Sequence, residues 1–175
     1  MSRILITSDL HLGHKNIHKY RQQFSSAEEH HEYVYERLAT NVNKADTIYF
    51  LGDVAFTPEW LAKIKAIPCR HKKLVCGNHD RDHFSMAELC DAFDSVDAMY
   101  SSRNVWWQHC PMHPEEIRRR LYNIHGHTHQ YLIMNGDVPS YRYFNACLEH
   151  TDYKPITFEE VDRIMTERRM KQVGK

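Results

Sequence analysis

Short apolar runs that pass directly into polar, glycine-containing loops constrain the fold more than any other feature of this sequence. The first run, residues 4–7, is rich in β-branched side chains and precedes a polar loop that extends to Asn16. Two further runs, at 46–51 and 73–76, end in Gly-Asp and in Gly-Asn-His-Asp. Short apolar runs bounded by turn residues predict buried strands. Each polar loop therefore follows the carboxyl end of a predicted strand. In α/β proteins, ligand-binding and active sites lie at these strand ends.

Helical patterns lie between and after these runs. A serine followed three residues later by glutamate predicts a helix over about 27–43, and a proline favours the first turn of a short helix over 58–67. Three strands that alternate with helices predict parallel β-α-β units. A second capping pattern, Thr157 with Glu160, predicts a C-terminal helix over about 157–171.

The second half of the chain follows a different pattern. Four strand-like runs occur there with few long helices between them, at residues 96–100, 104–108, 121–124 and 143–148. Antiparallel strands need no helical crossover, so this half predicts a more antiparallel sheet. Strand alternation in the run that contains Trp106 and Trp107 places one of the two rings in the core.

The composition limits the class of protein. A length of 175 residues fits one domain, and we expect residues 1–175 to form it. Lysine plus arginine and aspartate plus glutamate both total 23, so no global charge favours a nucleic-acid polymer or an anionic membrane. The N-terminal apolar run is too short for a signal peptide, and we expect a soluble cytoplasmic protein. The five cysteines include no Cys-x-x-Cys pair, which argues against a zinc ribbon.

Histidine is unusually frequent, with 14 residues, and many of these residues fall in polar blocks after the predicted strands. The blocks are Asp9-x-His11, Gly52-Asp53, Gly77-Asn78-His79-Asp80, His109 and Gly126-His127-Thr128-His129. Each block alone is also typical of a turn. Carboxylate oxygens with neutral imidazole nitrogens suit first-row divalent ions, so the joint pattern indicates a metal site. Period-two alternation along an extended segment would place both ends of Asp-x-His or His-x-His on one side.

These five blocks, in this order, resemble the calcineurin-like metallophosphoesterase superfamily. The segments at 8–16, 51–54 and 145–156 are similar to those of its small bacterial and phage phosphoesterases, and the resemblance extends over about residues 3–165. It implies an α/β (α+β) fold, a four-layer sandwich of two mixed β-sheets flanked by helices.

The resemblance also implies a centre for two divalent metal ions. The first ion is bound by Asp9, His11 and His129, the second by Asn78, His109 and His127, and Asp53 bridges both. Asp53 and Asn78 thereby also take part in catalysis. His113, four residues after His109, is the alternative ligand at that position. Manganese is the expected metal, and iron, nickel, cobalt or zinc suits the same ligands.

Other residues are assigned around this centre. His79 occupies the position of the family's catalytic histidine, and Asp80 or Asp82 orients its ring. His14 contacts substrate or has a structural role. Arg21 either binds a phosphate through two hydrogen bonds or is an exposed residue before a helix.

The implied reaction is hydrolysis of a small phosphodiester or phosphomonoester by a metal-bridging hydroxide. Two metals about 3.5–4 Å apart stabilise the attacking and the leaving oxygen. The alternatives are a nuclease acting on nucleic-acid phosphodiesters, which the neutral charge disfavours, and a non-catalytic metal-binding scaffold, which the complete set of ligand positions disfavours. The sequence makes no prediction of oligomeric state.

Overall fold

The computed structural model describes residues 2–174. Its strands are β1 (Ile4–Thr7), β2 (Thr47–Phe50), β3 (His71–Val75), β4 (Ser95–Asp97), β5 (Tyr100–Ser102), β6 (Val105–Trp107), β7 (Asn123–His125), β8 (Met134–Asn135), β9 (Val138–Pro139), β10 (Tyr143–Asn145) and β11 (Ile156–Thr157). Its α-helices are α1 (Ala27–Asn41), α2 (Pro58–Ala66), α3 (Asp80–His83), α4 (Met86–Ala92) and α5 (Phe158–Val173), with 3-10 turns at Ile17–Lys19, Pro114–Ile117 and Leu148–His150.

The first sheet has the strand order β11-β1-β2-β3-β4. Strands β1 to β4 pair in parallel and β11 pairs antiparallel with β1. The predicted parallel β-α-β units are therefore confirmed. Because parallel strands point the same way, the polar loops after β1, β2 and β3 all leave from the same edge of the sheet.

Helices α1, α2 and α4 cover one face of this sheet. Helix α1 begins at the predicted place because the Ser26 hydroxyl accepts a hydrogen bond from the Glu29 amide at 3.1 Å. The core of this layer combines strand and helix residues, among them Leu5, Ile48, Phe50, Leu74, Val34, Leu38, Ile64 and Leu89. All eight are at most 2% exposed, so burial of apolar surface holds the helices on the sheet.

The second sheet, in the order β10-β7-β6-β5, packs on the opposite face of the first. Trp107 is fully buried between the sheets and stacks on Tyr49, with ring centroids 4.5 Å apart. Phe158 of α5 also stacks on the Trp107 ring, with ring centroids 5.6 Å apart. Trp106 packs against the cluster that contains Ile117, and its indole NH donates to the Glu116 carbonyl at 3.2 Å. The result is two mixed sheets flanked by helices, as predicted.

The prediction of a more antiparallel second half is right only in part, because β5 with β6 and β8 with β9 are antiparallel but the main sheet is mostly parallel. Strands β10 and β7, and β7 and β6, pair in parallel, and β5 with β6 is the antiparallel pair of this sheet. Residues 108–122 and 126–142 form long crossovers that return the chain to the same end of the sheet. Such crossovers do not require an α-helix, and this is why the scarcity of helices was misleading.

The predicted strand at 96–100 is also wrong, because the chain leaves the first sheet within it. Val96 pairs with Leu74 in the first sheet, whereas Tyr100 pairs with Trp107 in the second. The run 143–148 ends as a strand at Asn145. The remaining predicted elements are present, with ends within three residues of those expected. Within residues 2–174, no helix combines the length and apolar character that a membrane crossing requires.

Asp46 fixes the turn between α1 and β2. Its fully buried carboxylate accepts hydrogen bonds from the Arg3 amide at 3.0 Å, the Arg3 guanidinium at 2.6 Å and the Asn43 amide at 2.9 Å. The hydrogen bond from the Arg3 guanidinium lowers the pKa of Asp46 to about 2. Because this folded-state pKa is depressed, the stability it contributes is complete above pH ~4 and is lost as the pH falls towards 2.

We expect Asp46→Asn to reduce the free energy of unfolding by about 1–3 kcal/mol at pH 7, because buried donors lose a charged acceptor. Urea unfolding at several pH values would measure this, and the difference from wild type should shrink between pH 4 and 2. Asp137→Asn, at an exposed residue, is the control and should change stability by less than about 0.5 kcal/mol. Equal effects of the two substitutions would contradict this role of Asp46.

Candidate metal centre

Polar loops after β1, β2, β3, β6 and β7 meet at one edge of the two sheets. Backbone hydrogen bonds hold them together: the Asp9 amide donates to the Gly52 carbonyl at 3.0 Å and the His11 amide to the Asp53 carbonyl at 3.0 Å. The Gly126 amide donates to the His109 carbonyl at 2.8 Å. The structure thus brings together the loops that carry all seven predicted metal ligands.

The Asp-x-His and His-x-His segments reach this point through left-handed backbone. The φ angles are 57° at Asp9, 51° at His11, 53° at Asp53, 68° at His127 and 45° at His129. Residues other than glycine seldom adopt this conformation, and it is concentrated at functional sites. The expectation of extended, period-two segments is therefore wrong. Both segments lie beyond the strand ends, and left-handed backbone turns each side chain towards the centre.

Two glycines allow the loops to approach this closely. A Cβ atom at Gly77 would overlap the Asp53 carboxylate, and one at Gly126 would overlap Ser8 and the Asp9 carboxylate. The absence of a side chain is required at both positions.

One group of potential ligand atoms surrounds Asp9 Oδ1. The His11 Nε2 and His129 Nε2 atoms each lie 3.7 Å from it. The other oxygen, Asp9 Oδ2, is occupied by the protein: it accepts a hydrogen bond from the His127 amide at 2.9 Å and lies 2.6 Å from Ser8 Oγ and 3.1 Å from Cys147 Sγ. The protein thus fixes one oxygen of this carboxylate and leaves the other facing two imidazoles.

A second group surrounds His109. Its Nε2 atom lies 3.1 Å from Asn78 Oδ1, 3.1 Å from His127 Nδ1 and 3.5 Å from Asp53 Oδ2. Asp53 Oδ2 is also 3.8 Å from His11 Nε2, in the first group. Asp53 Oδ1 accepts a hydrogen bond from the His79 amide at 2.9 Å. A single carboxylate oxygen therefore lies between one imidazole of each group.

The donor atoms of both groups fit divalent metal ions. Asp9 Oδ1 and His11 Nε2 are buried without a hydrogen-bond partner, a costly state unless something else satisfies them. Two ligands that are each about 2.1 Å from one ion lie about 3.0–4.2 Å apart. The separations of 3.1–3.8 Å within both groups fall in this interval.

Metal binding requires neutral imidazoles and ionised carboxylates. The hydrogen bond with Glu149 raises the pKa of His129, whereas two other histidines favour the neutral form. Burial lowers the pKa of His11 and of His127. Burial alone would raise the pKa of Asp9, but the imidazoles of His11, 3.7 Å away, and of His109 lower it below its ordinary value.

Hydrogen bonds at Nδ1 orient the rings of two histidines of the centre. His109 Nδ1 lies 2.7 Å from the Leu51 carbonyl oxygen, and His129 Nδ1 lies 3.1 Å from Glu149 Oε1. Donation through Nδ1 leaves the Nε2 lone pair of each ring for a metal. Sequence reasoning missed Glu149 as a member of the site, although the segment at 145–156 was singled out. No local pattern connects Glu149 to His129, which lies 20 residues earlier.

The structure places His109 in the centre and His113 outside it. His109 is buried, whereas His113 is exposed and accepts a hydrogen bond from the Glu115 amide at the start of a 3-10 turn. Cys110, which the sequence did not indicate, has its thiol within 4.8 Å of ring nitrogens of His109 and His127.

His79 borders the centre, and its Nδ1 atom lies 3.4 Å from the Asp82 carboxylate. Asp80, the other residue expected to orient His79, does not contact its ring. The buried Asp80 carboxylate accepts hydrogen bonds from the backbone amides of Asp53, Val54 and Gly77 at 2.7–3.0 Å. Asp80 therefore fixes the loop that carries Asp53, and Asp82 is the carboxylate beside His79.

Arg21 is buried, so the alternative that it is an exposed residue before a helix is wrong, and its contact with a phosphate stays a prediction. Its guanidinium donates to Glu149 Oε1 at 2.9 Å and to the Asp9 carbonyl at 2.7 Å, and its third nitrogen lies 2.8 Å from His30 Nε2. Arg21 thus supports the first loop. His14 is half-buried against Phe56 and lines the cavity beside the centre, so its contact with substrate stays a prediction.

Comparison with known proteins agrees with this arrangement. The sequence profile described as the calcineurin-like phosphoesterase superfamily domain matches residues 2–147. The Gene 66 protein of Mycobacterium phage L5 is 36% identical, over 79% of this chain and 83% of the phage protein. An uncharacterized protein of Methanocaldococcus jannaschii is 26% identical, over 94% and 92% of the two chains.

A solved structure has the same fold. The crystal structure of an Aquifex aeolicus protein of unknown function superimposes with a TM-score of 0.72 at 27% identity. The match covers 94% of this chain and all of the other.

The two neighbouring histidines allow a matched test of the second group of ligands. After loading with Mn²⁺ and desalting, we expect wild type and His113→Ala to retain about two ions per chain, and His109→Ala about one. Elemental analysis by mass spectrometry measures the ratio. Loss of metal in His113→Ala with retention in His109→Ala would reverse the assignment.

Glu149→Gln tests the support of His129. We expect Mn²⁺ binding to weaken about 10–100-fold, because the neutral amide no longer holds the Nδ1 proton of His129 against a negative charge. Isothermal titration calorimetry gives the dissociation constants. Glu167→Gln, on the exposed face of α5, is the control, and an equal loss in both variants would show that Glu149 has no special role.

Proposed function

Because this chain belongs to the calcineurin-like phosphoesterase superfamily, we propose that it hydrolyses a small phosphodiester or phosphomonoester at a dinuclear metal centre. The superfamily is generally hydrolytic, and the clustered aspartates and histidines support a metal-dependent phosphoesterase. The dinuclear centre, the residues of the site and the size of the substrate are our proposals.

The position of Asp53 carries the dinuclear proposal. Its Oδ2 atom lies 3.8 Å from His11 Nε2 and 3.5 Å from His109 Nε2, so one carboxylate faces both groups of ligands. Because its other oxygen is held by the His79 amide, this carboxylate cannot rotate away without losing a hydrogen bond. Asp53 thus has the geometry that a bridging ligand needs.

The ligand residues also determine the charge of the site. Asp9 and Asp53 contribute two negative charges, and the imidazoles and the Asn78 amide are neutral ligands. Two divalent ions held there would leave a net positive charge and would supply Lewis acidity for a phosphoryl oxygen and a lowered pKa for water. The seven residues hold this arrangement in place before substrate arrives, which is the basis of electrostatic catalysis.

His79 is proposed to act on the leaving group. The Asp82 carboxylate 3.4 Å from Nδ1 favours the proton on that nitrogen, and Nε2 is then the atom that faces a substrate. His79 lines the same cavity as His11 and His129, within reach of an ester oxygen bound beside them. A protonated His79 can therefore donate its Nε2 proton to the departing alkoxide.

A small substrate suits the cavity better than a polymer. Among the described residues that line it, Arg21 is the one lysine or arginine, and its charge is already paired with Glu149. Polymer binding relies on several phosphate contacts from basic residues. We propose manganese as the metal because oxygen and imidazole ligands suit it, with iron, nickel, cobalt and zinc as the other ions to assay.

We expect the protein with Mn²⁺ to hydrolyse bis-p-nitrophenyl phosphate or p-nitrophenyl phosphate, and Asp53→Asn to reduce turnover to the uncatalysed rate. His79→Ala should lower kcat about 10²–10⁴-fold while metal content stays unchanged. Absorbance of p-nitrophenolate measures both, and comparison of the two esters gives the preference for diester or monoester. His113→Ala is the control and should retain activity.

The proposal fails if wild type is no faster than Asp53→Asn with any of the five metals. A His79→Ala variant as active as wild type would leave the metal centre intact but remove His79 from the reaction.

A further inference from the structure

The Phe56 ring lies among four histidine rings beside the candidate metal centre. The distance between ring centroids is 5.2 Å to His11, 4.9 Å to His14, 5.3 Å to His79 and 4.4 Å to His83. Aromatic rings in contact have centroids about 4.5–7 Å apart, so Phe56 packs against each of these imidazoles. His11, His14 and His79 line the cavity beside the centre. Phe56 is not one of the lining residues, so its ring supports the cavity wall rather than forming it.

Anchored backbone carries the Phe56 ring. The Phe56 amide donates to the Leu12 carbonyl at 2.8 Å, and the Leu12 amide donates to the Val54 carbonyl at 3.1 Å. These hydrogen bonds join the loop after β2, which carries Phe56, to the loop after β1, which carries His14. His79 lies in a third loop, after β3. The position of the Phe56 ring is therefore set by the backbone and does not depend on the His79 loop.

The other contacts of His79 leave its ring less restricted. Its side chain is 42% exposed, and the Asp82 carboxylate 3.4 Å from Nδ1 belongs to a side chain that is 66% exposed. Such exposed pairs restrain little, because water screens their charges and competes for their hydrogen bonds. The hydrogen bond from the His79 amide to Asp53 fixes the backbone and not the ring. Of the two larger ring contacts, Phe56 is nearer than His11, which is 6.0 Å away.

We infer that Phe56 is a positioning residue whose ring fixes the orientation of His79, and so the direction in which Nε2 points. This inference rests on the proposed function, in which His79 donates a proton to the leaving group. A proton donor must lie within hydrogen-bond reach of the oxygen, and a small misplacement of a reacting group slows a reaction strongly. The phenyl ring itself carries no group that could transfer a proton, so its effect passes through the imidazole.

The contact with His11 offers a second route by which Phe56 could act, through the metal. His11 is 6% exposed, its amide is held by the Asp53 carbonyl at 3.0 Å, and its Nε2 lies 3.7 Å from Asp9. These restraints do not involve Phe56. We therefore expect loss of the Phe56 ring to leave metal content unchanged, and a metal measurement separates the two routes.

Phe56→Leu removes the flat ring and keeps an apolar side chain. We expect it to lower kcat about tenfold with KM within about twofold for the phenyl ester that corresponds to the preferred p-nitrophenyl substrate. The loss should be smaller for the p-nitrophenyl ester, because p-nitrophenolate departs with less need of a proton. Phosphate release measures the phenyl phosphomonoester reaction and phenol release the diester reaction.

Three further variants locate the effect. Phe56→Tyr keeps the ring and should retain kcat within about threefold. Phe93→Leu makes the same substitution at a buried phenylalanine that packs on Phe50, and it should leave kcat within about twofold. In a His79→Ala background, Phe56→Leu should change kcat less than about twofold, because residues that act through one another are not additive. Circular dichroism verifies folding, and mass spectrometry verifies about two Mn²⁺ ions per chain in each variant.

Nuclear magnetic resonance tests the positioning without any reaction. In Zn²⁺-loaded protein with labelled histidine, the couplings that report χ1 of His79 should show one rotamer in wild type and in Phe93→Leu, and an average of rotamers in Phe56→Leu. The signals of His79 are assigned by their loss in His79→Ala.

Unaveraged couplings in Phe56→Leu would overturn the inference, as would an equal loss of kcat for the two esters, loss of metal in Phe56→Leu, or additive losses in the double variant. A wild type that hydrolyses neither ester would reject the proposed function, and the couplings would still decide whether Phe56 fixes the His79 ring.

Discussion

Two buried carboxylates, Asp9 and Asp53, are the constraint on which the rest of the structure depends. An ionised carboxylate inside a protein costs several kcal/mol unless donors and opposite charges compensate it. This protein compensates one oxygen of each: the His127 amide donates to Asp9 and the His79 amide donates to Asp53. The second oxygens face imidazole nitrogens, an arrangement whose charge the proposed cations would balance. The left-handed backbone at both aspartates, and the glycines packed against their carboxylates, Gly77 and Gly126, allow these hydrogen bonds to form.

A buried chain of polar residues connects the centre to helix α1. Glu149 accepts hydrogen bonds from both His129 and Arg21. Burial alone would raise the pKa of Glu149, but these two partners outweigh burial and lower the pKa to about 2. Because arginine only donates, His30 must accept from Arg21 at Nε2. His30 therefore carries its proton on Nδ1, which lies 3.1 Å from His31 Nδ1. The hydrogen bonds therefore fix the tautomers of His129, His30 and His31 one after another. Through Arg21 and Glu149, this network connects the loop after β1 to the loop after β7.

The sequence predicted some elements well because their signals are local. The start of α1 follows from Ser26 and Glu29, which are three residues apart, and the strand at Ile4–Thr7 follows from its own β-branched residues. The pairing of the second sheet was not predictable in this way. Val96 and Tyr100 lie in one apolar run, yet they belong to different sheets, because the partner strands near Leu74 and Trp107 decide where each residue pairs.

By itself, the sequence determined the chemistry of this protein: which loops carry carboxylates, imidazoles and glycines, and in what order these follow the strands. Tertiary structure alone decided which atoms meet. Asp9 Oδ2 and the His127 amide are separated by 118 residues, and Arg21 and Glu149 by 128. Contacts of that kind leave no trace in local composition or periodicity, because they arise from the packing of two sheets. That packing placed Glu149 behind His129 and gave Arg21 a structural partner.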